Sequence, residues 1–119
     1  MPRVKRGSNR RDRRRKVLKL AKGFRGTKSK LYRSAKEAVD RALSFAYRDR
    51  RTRKRDFRRL WIIRIGAAAR ANGMTYSTLI AGLTKADVAL NRKQLSELAI
   101  HDEKAFGELV GVAKQALAG

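Results

Sequence analysis

The chain has 119 residues, with 32 Lys+Arg against 10 Asp+Glu and a formal net charge of +22. It holds no cysteine and one histidine, His101. Disulfides, thiolate zinc and a Cys nucleophile are thereby excluded, and Ser-His-Asp chemistry or a His-rich metal site is left without support. Two full domains do not fit this length. No apolar stretch approaches the roughly 18 residues that span a bilayer, and the opening Met1-Pro-Arg-Val-Lys-Arg6 lacks the apolar run of a secretory signal. The expectation is a cytoplasmic polycation whose self-repulsion is relieved by a polyanion.

The charge is uneven. Residues 1–60 hold 25 Lys/Arg and 5 Asp/Glu, net +20, whereas residues 61–119 hold 7 and 5, net +2. The pattern divides the chain into an arginine-rich extension over residues 1–59 and a small domain over 60–119. In chain order, Pro2–Asn9 reads as a loop. Residues 10–21 read as a short helix stopped by Gly23 and Gly26. From Thr27 to Ile65 there is neither glycine nor proline and few β-branched residues, which predicts one long helix, or two nearly collinear ones, over Ser29–Ala71. At 1.5 Å per residue it would run about 60 Å. Glu37 with Arg41 and Asp49 with Arg53 are favourably oriented i,i+4 pairs, each contributing about 0.3 kcal/mol.

Within that helix the segment Tyr47–Leu60 is anomalous. Basic residues at 48, 50, 51, 53, 54, 55, 58 and 59 surround the whole circumference and leave no apolar stripe of ordinary width. Such a helix gains almost nothing by packing on protein. The extension is therefore expected to own no hydrophobic interior, to fray alone, and to order on its partner.

The remainder is different. Phe57, Leu60, Trp61, Ile65 and Ala68 follow helical spacing, widened by Ile63, Ala67 and Ala71, and Asn72-Gly73 makes a stop. Thr75 is an N-cap for Tyr76–Ala86, with Leu79, Ile80 and Leu83 inward. Asn91 and Gln94 form a capping box opening Arg92–Ile100, with Leu95, Leu98 and Ala99 apolar. Asp102 caps Glu103–Leu117, whose apolar side is Phe106, Leu109, Val110, Ala113 and Leu117. No strand alternation occurs. The fold class is all-α: a long basic N-terminal helical extension followed by a small four-helix C-terminal domain.

Arginine predominates in the extension, and its planar guanidinium suits bidentate phosphate contact and stacking on bases. The candidate nucleic-acid contacts begin with Arg3, Lys5, Arg6, Arg10, Arg11, Arg13, Arg14, Arg15, Lys16, Lys19, Lys22, Phe24, Arg25, Lys28, Lys30, Tyr32 and Arg33. They continue through Tyr47, Arg48, Arg50, Arg51, Arg53, Lys54, Arg55, Arg58 and Arg59. In the C-terminal domain they are Arg64, Arg70, Lys85, Arg92 and Lys93. Phe24, Tyr32, Phe45 and Tyr47 are open to two readings, base stacking or anchoring against a neighbouring helix. Trp61 reads as core, and His101 as an exposed or capping residue. Gly23-Phe-Arg-Gly26 is not a Walker-type phosphate loop, and no carboxylate pair sits beside a plausible acid, base or metal partner. No enzyme activity, metal, cofactor or small-molecule substrate is expected. Duplex DNA shares the charge argument, whereas a membrane surface would require the apolar face that Arg48–Arg59 lacks.

These residues resemble a specific family. Pro2-Arg-Val-Lys-Arg-Gly7, Lys16-Val-Leu-Lys-Leu-Ala-Lys-Gly-Phe-Arg-Gly26 and, above all, the block Ala46–Ile62 resemble the family of bacterial large-subunit ribosomal protein twenty. Arg64–Ser77, Asn91-Arg-Lys-x-Leu95 and Ala105–Val110 extend the match over essentially the whole chain. The resemblance implies a constituent of the large ribosomal subunit that binds large-subunit rRNA directly. It implies an extension threaded between rRNA helices, a C-terminal domain docked on the rRNA surface, and neighbouring ribosomal proteins as further partners. It also implies a role early in subunit assembly, and for some members repression of their own messenger RNA. Gly66 stands where the family usually has Asn, which would loosen the helix or remove a polar contact. Leu79 stands where an aromatic is usual, which would alter core packing.

Overall fold

The computed structural model describes residues 7–119, all of whose regular elements are helical. Helix α1 is Asn9–Leu20, a 3-10 turn occupies Gly26–Ser29, and α2 is the 40-residue Tyr32–Ala71. Helices α3 (Tyr76–Lys85), α4 (Arg92–His101) and α5 (Glu103–Ala118) follow. The long helix is thus one element. The first of the four helices expected in the C-terminal domain is not separate but the last turns of α2.

Two compact units divide the chain, one ending at Arg51 and the other Thr52–Gly119. The first unit corrects one expectation, because the extension does own a small interior. Ala21, Ala35 and Val39 are buried, with Val17, Leu18 and Phe24 packed around them. Ala35 and Val39 are four apart on α2, and Val17, Leu18 and Ala21 share a face at the end of α1, so a short apolar stripe exists on each helix. The turn at Gly23 (φ +91°) and Gly26 (φ +62°) lets the chain bend sharply between them. Beyond Val39 this interior ends, and every residue from Asp40 to Leu60 is exposed apart from half-buried Thr52.

The second unit closes around Ile65 and Ala69 of α2, Met74 in the link that follows, Leu79 and Leu83 of α3, Leu95 of α4, and Phe106, Val110 and Ala113 of α5. Trp61 packs against this core, as the sequence pattern required, while Phe57, Leu60, Ile63 and Leu117 stay exposed. Leu79 is fully buried and among the largest side chains in the interior. At the end of α2, Gly73 (φ +79°) donates to the Arg70 carbonyl and Met74 to the Ala69 carbonyl. This six-to-one and five-to-two pair satisfies the last carbonyls and buries Met74. Lys114 Nζ, 2.9 Å from the Asn72 carbonyl oxygen, ties α5 to the same corner.

The expected caps are present. The Thr75 hydroxyl accepts from Thr78 N–H and the Asn91 side chain from Gln94 N–H, and both close reciprocal capping boxes. Asp102 Oδ1 accepts from Ala105 N–H at 3.0 Å. Helices α3 and α5 approach so closely at Gly82 that a Cβ there would lie 2.6 Å from the Ala113 carbonyl oxygen and 2.8 Å from its Cβ. At Gly66, in contrast, a Cβ would meet nothing nearer than 3.9 Å.

Gly82→Ala is therefore expected to lower stability by about 2–3 kcal/mol by forcing α3 and α5 apart. Gly66→Ala should raise it by about 0.5–1 kcal/mol through helix propensity alone. Urea denaturation of both variants checks the opposite signs.

Candidate nucleic-acid interface

Geometry sorts the candidate residues into three groups; Arg3, Lys5 and Arg6 lie outside the described residues. The first group lines an open groove of about 1150 Å³ between α1 and the turn that follows it. Arg10, Arg11, Arg14 and Arg15 supply one wall, Lys19, Lys22 and Lys30 complete it, and Leu18 and Phe24 give it apolar surface. Among the described residues no acid lines the groove. Arg14 also lies over the Tyr32 ring, 5.2 Å from its centroid. Arg13 and Lys16 are exposed on α1 outside the groove lining, and Arg33 is exposed on the first turn of α2. Arg25 and Lys28 border a smaller hollow with Phe24, Arg41 and Phe45.

The second group is the bare stretch of α2. Arg48, Arg50, Arg51, Arg53, Lys54, Arg55, Arg58 and Arg59 are all exposed. The aromatics between them are occupied on one face. Arg48 stacks on Phe45 at 4.5 Å, Arg51 on Tyr47 at 3.8 Å, and Arg53 lies 5.9 Å from the Phe57 centroid. Arg51 Nη1 also donates to the Tyr47 carbonyl at 3.2 Å. A guanidinium held flat on a ring loses little of its donor capacity, because the cation–π contact uses its face while its N–H groups lie in its plane. Tyr47 and Phe45 are thus platforms already bearing cations. Phe24, in contrast, is half-buried against the small interior and acts as an anchor.

Neither of the two i,i+4 ion pairs is closed among the described residues. Asp49 pairs instead with its neighbour Arg48 at 2.9 Å, both side chains more than half exposed. At such exposure the pair contributes little. Arg41, which the sequence pattern assigned to Glu37, turns to the hollow with Phe24 and Phe45 and joins the cationic surface. The signal that could have found it is its position eight residues after Arg33, on an exposed face of the same helix.

The third group lies on the C-terminal unit. Arg70, Lys85 and Lys93 are exposed, and Arg64 and Arg92 half-buried. Arg64 borders a groove of about 590 Å³ with Ala67, Ala68, Ala71, Ile100 and Lys104. Arg92 Nε donates to the Tyr76 hydroxyl at 2.7 Å. Sequence reasoning missed Tyr76 and Lys104, because one reads as an ordinary first helical residue and the other as a solvated charge. His101 is exposed and lies 3.3 Å from Glu97. Among the described residues no group of His, Cys, Asp or Glu could hold a metal ion, and no helix is long and apolar enough to cross a membrane.

Helices that display guanidinium groups, with a small capped helical core at one end of the sequence, define a class of proteins specialised for contact rather than for catalysis. The sequence model of ribosomal protein L20 matches residues 3–109, and the chain belongs to that family, whose members are structural constituents of the ribosome and not enzymes. Large ribosomal subunit protein bL20 of Natranaerobius thermophilus is 60% identical over 98% of this chain and 100% of its own length. The proteins of the same name from Geotalea daltonii and Geobacter sulfurreducens are each 63% identical, over 96% of this chain and 97% of theirs.

The bare stretch of α2 is stabilised by few contacts and opposed by repulsion between cations that are three and four residues apart. Its helicity should therefore rise with screening. Ellipticity at 222 nm is expected to grow as salt increases from about 10 mM, where the Debye length is about 30 Å, to about 1 M, where it is about 3 Å. A signal independent of salt would show that repulsion does not limit this helix.

Proposed function

We propose that this chain binds large-subunit rRNA directly and organises it early in subunit assembly, with the extension acting as an electrostatic clamp. The observation that carries this reading is the stretch from Asp40 to Leu60, exposed on essentially all sides and basic around its circumference. A surface of that kind can neutralise phosphates approaching from several directions at once. RNA segments that repel one another could be held together by it. A-form helices hide base edges in a deep groove, so recognition rests mainly on backbone and shape, with few bases stacked. Arg64, Arg70, Lys85, Arg92 and Lys93 would place the C-terminal unit, while the extension supplies most of the affinity. Neighbouring proteins of the subunit are further partners. Repression of its own messenger, implied for some members by family resemblance, would call on the same backbone-and-shape recognition.

If about 10–15 phosphates are engaged, affinity falls roughly as the tenth power of salt concentration or more steeply. Replacing Arg51, Arg55 and Arg58 together with Ala should weaken binding to transcribed large-subunit rRNA and reduce the salt slope by about 2–3. An unchanged slope contradicts the clamp. Competition with duplex DNA at moderate salt separates the histone-like alternative, which requires DNA to win.

A further inference from the structure

The hydrogen bond between Arg92 and Tyr76 is the described contact that links two candidate-site elements through side chains sixteen residues apart. Tyr76 and Arg92 are the first residues of α3 and α4, and both are half-buried. A guanidinium can grip an anion side-on, through Nε and one Nη, or end-on, through both Nη groups. With Nε given to the tyrosine, the side-on mode is closed and the end-on fork remains. Neither Nη group of Arg92 has a partner among the described residues. The Tyr76 hydroxyl accepts this bond, so its own proton is still available, and it too has no acceptor among them. Arg70 adds a second cation near the root of the same tyrosine: its Nη2 and Tyr76 Cβ each lie 3.9 Å from where a Cβ would stand at Gly66.

We infer that Tyr76 and Arg92 form a preassembled receptor for one phosphodiester of the RNA backbone, in which Arg92 makes the contact and Tyr76 is its positioning residue. The inference rests on the rRNA-binding reading above. Two Nη donors of Arg92 take the two non-bridging oxygens, while the Tyr76 hydroxyl, held on the Nε side, stays out of reach of that anion. Freezing the guanidinium beforehand removes part of the ordering cost that a free arginine meets on binding. The tyrosine thereby turns a flexible surface charge into a fixed fork. A lysine at 92 would keep the charge and lose both the fork and the tyrosine contact made through Nε.

The test uses the full chain and transcribed large-subunit rRNA, with filter binding measured across a salt series for Tyr76→Phe, Arg92→Lys, Arg92→Ala and the double variant Tyr76→Phe/Arg92→Ala. Tyr76→Phe keeps the ring and its packing, and Arg92→Lys does not touch the core, so each checks the other against a folding defect. Both are expected to weaken binding about five- to tenfold, with the salt slope of the parent retained. Arg92→Ala should also reduce the slope by about one, and the double variant should bind no more weakly than Arg92→Ala, because the two groups act as a unit. Parent-like affinity of Tyr76→Phe or of Arg92→Lys overturns the inference. Losses that multiply in the double variant overturn it as well. Failure of the parent itself to bind with steep salt dependence would instead strike at the broader reading, so the two failures are distinct.

Discussion

Repulsion among closely spaced guanidinium groups, unrelieved by any buried apolar face, is the constraint from which the rest of this molecule follows. A helix normally persists in water because one stripe is buried against something else. Between Asp40 and Leu60 no such stripe is covered, and Phe45, Tyr47 and Phe57 are spent on holding arginines flat against their rings. The segment has good intrinsic propensity, since arginine and lysine are favourable helix formers. What it lacks is an internal counter-charge: the acids present are few, and Asp49 is turned to its immediate neighbour. On the proposed reading, the RNA backbone supplies what is missing. The sequence thus specifies a helix of favourable propensity and unrelieved charge.

The two ends of the extension are handled differently. Near the amino terminus a few apolar residues, Val17, Leu18, Ala21, Ala35 and Val39, fold α1 against the start of α2 and make a groove lined by one sign of charge. After Leu60 the chemistry changes within a single turn. Trp61, Ile65 and Ala69 begin a conventional core, closed by α3, α4 and α5 with caps at each helix start and a contact at Gly82 too tight for any side chain. That unit buries a core of its own and carries Arg64, Arg92 and Lys93 on its outer side.

Much of this was legible in the residues themselves. The caps at Thr75, Asn91 and Asp102 follow from short polar side chains placed just before apolar periodicity, and all three are found. The inward set on α3, α4 and α5 was legible because hydrophobic spacing of three and four is decisive where charge is low. The small interior of the extension was not. Its members are alanines and a valine scattered among cations, and composition averages hide a stripe only two turns long. Ala69 and Met74 were missed in the core as well: Ala69 continues the Trp61–Ile65 spacing of four and was there to be read, whereas the burial of Met74 depends on how α2 ends. The Tyr76–Arg92 contact joins residues that no local spacing connects. Pairings of that kind require the tertiary fold, and they are where a site acquires its geometry.

Native-state amide hydrogen exchange on the full chain, with and without transcribed large-subunit rRNA, tests the dependence of the extension on RNA most directly. Without RNA, amides between Asp40 and Leu60 are expected to exchange rapidly while those of Leu79, Leu95, Phe106 and Val110 are protected. With RNA, both sets should be protected. Strong protection of the Asp40–Leu60 amides in the free protein at low salt, unchanged when the transcript is added, would contradict it.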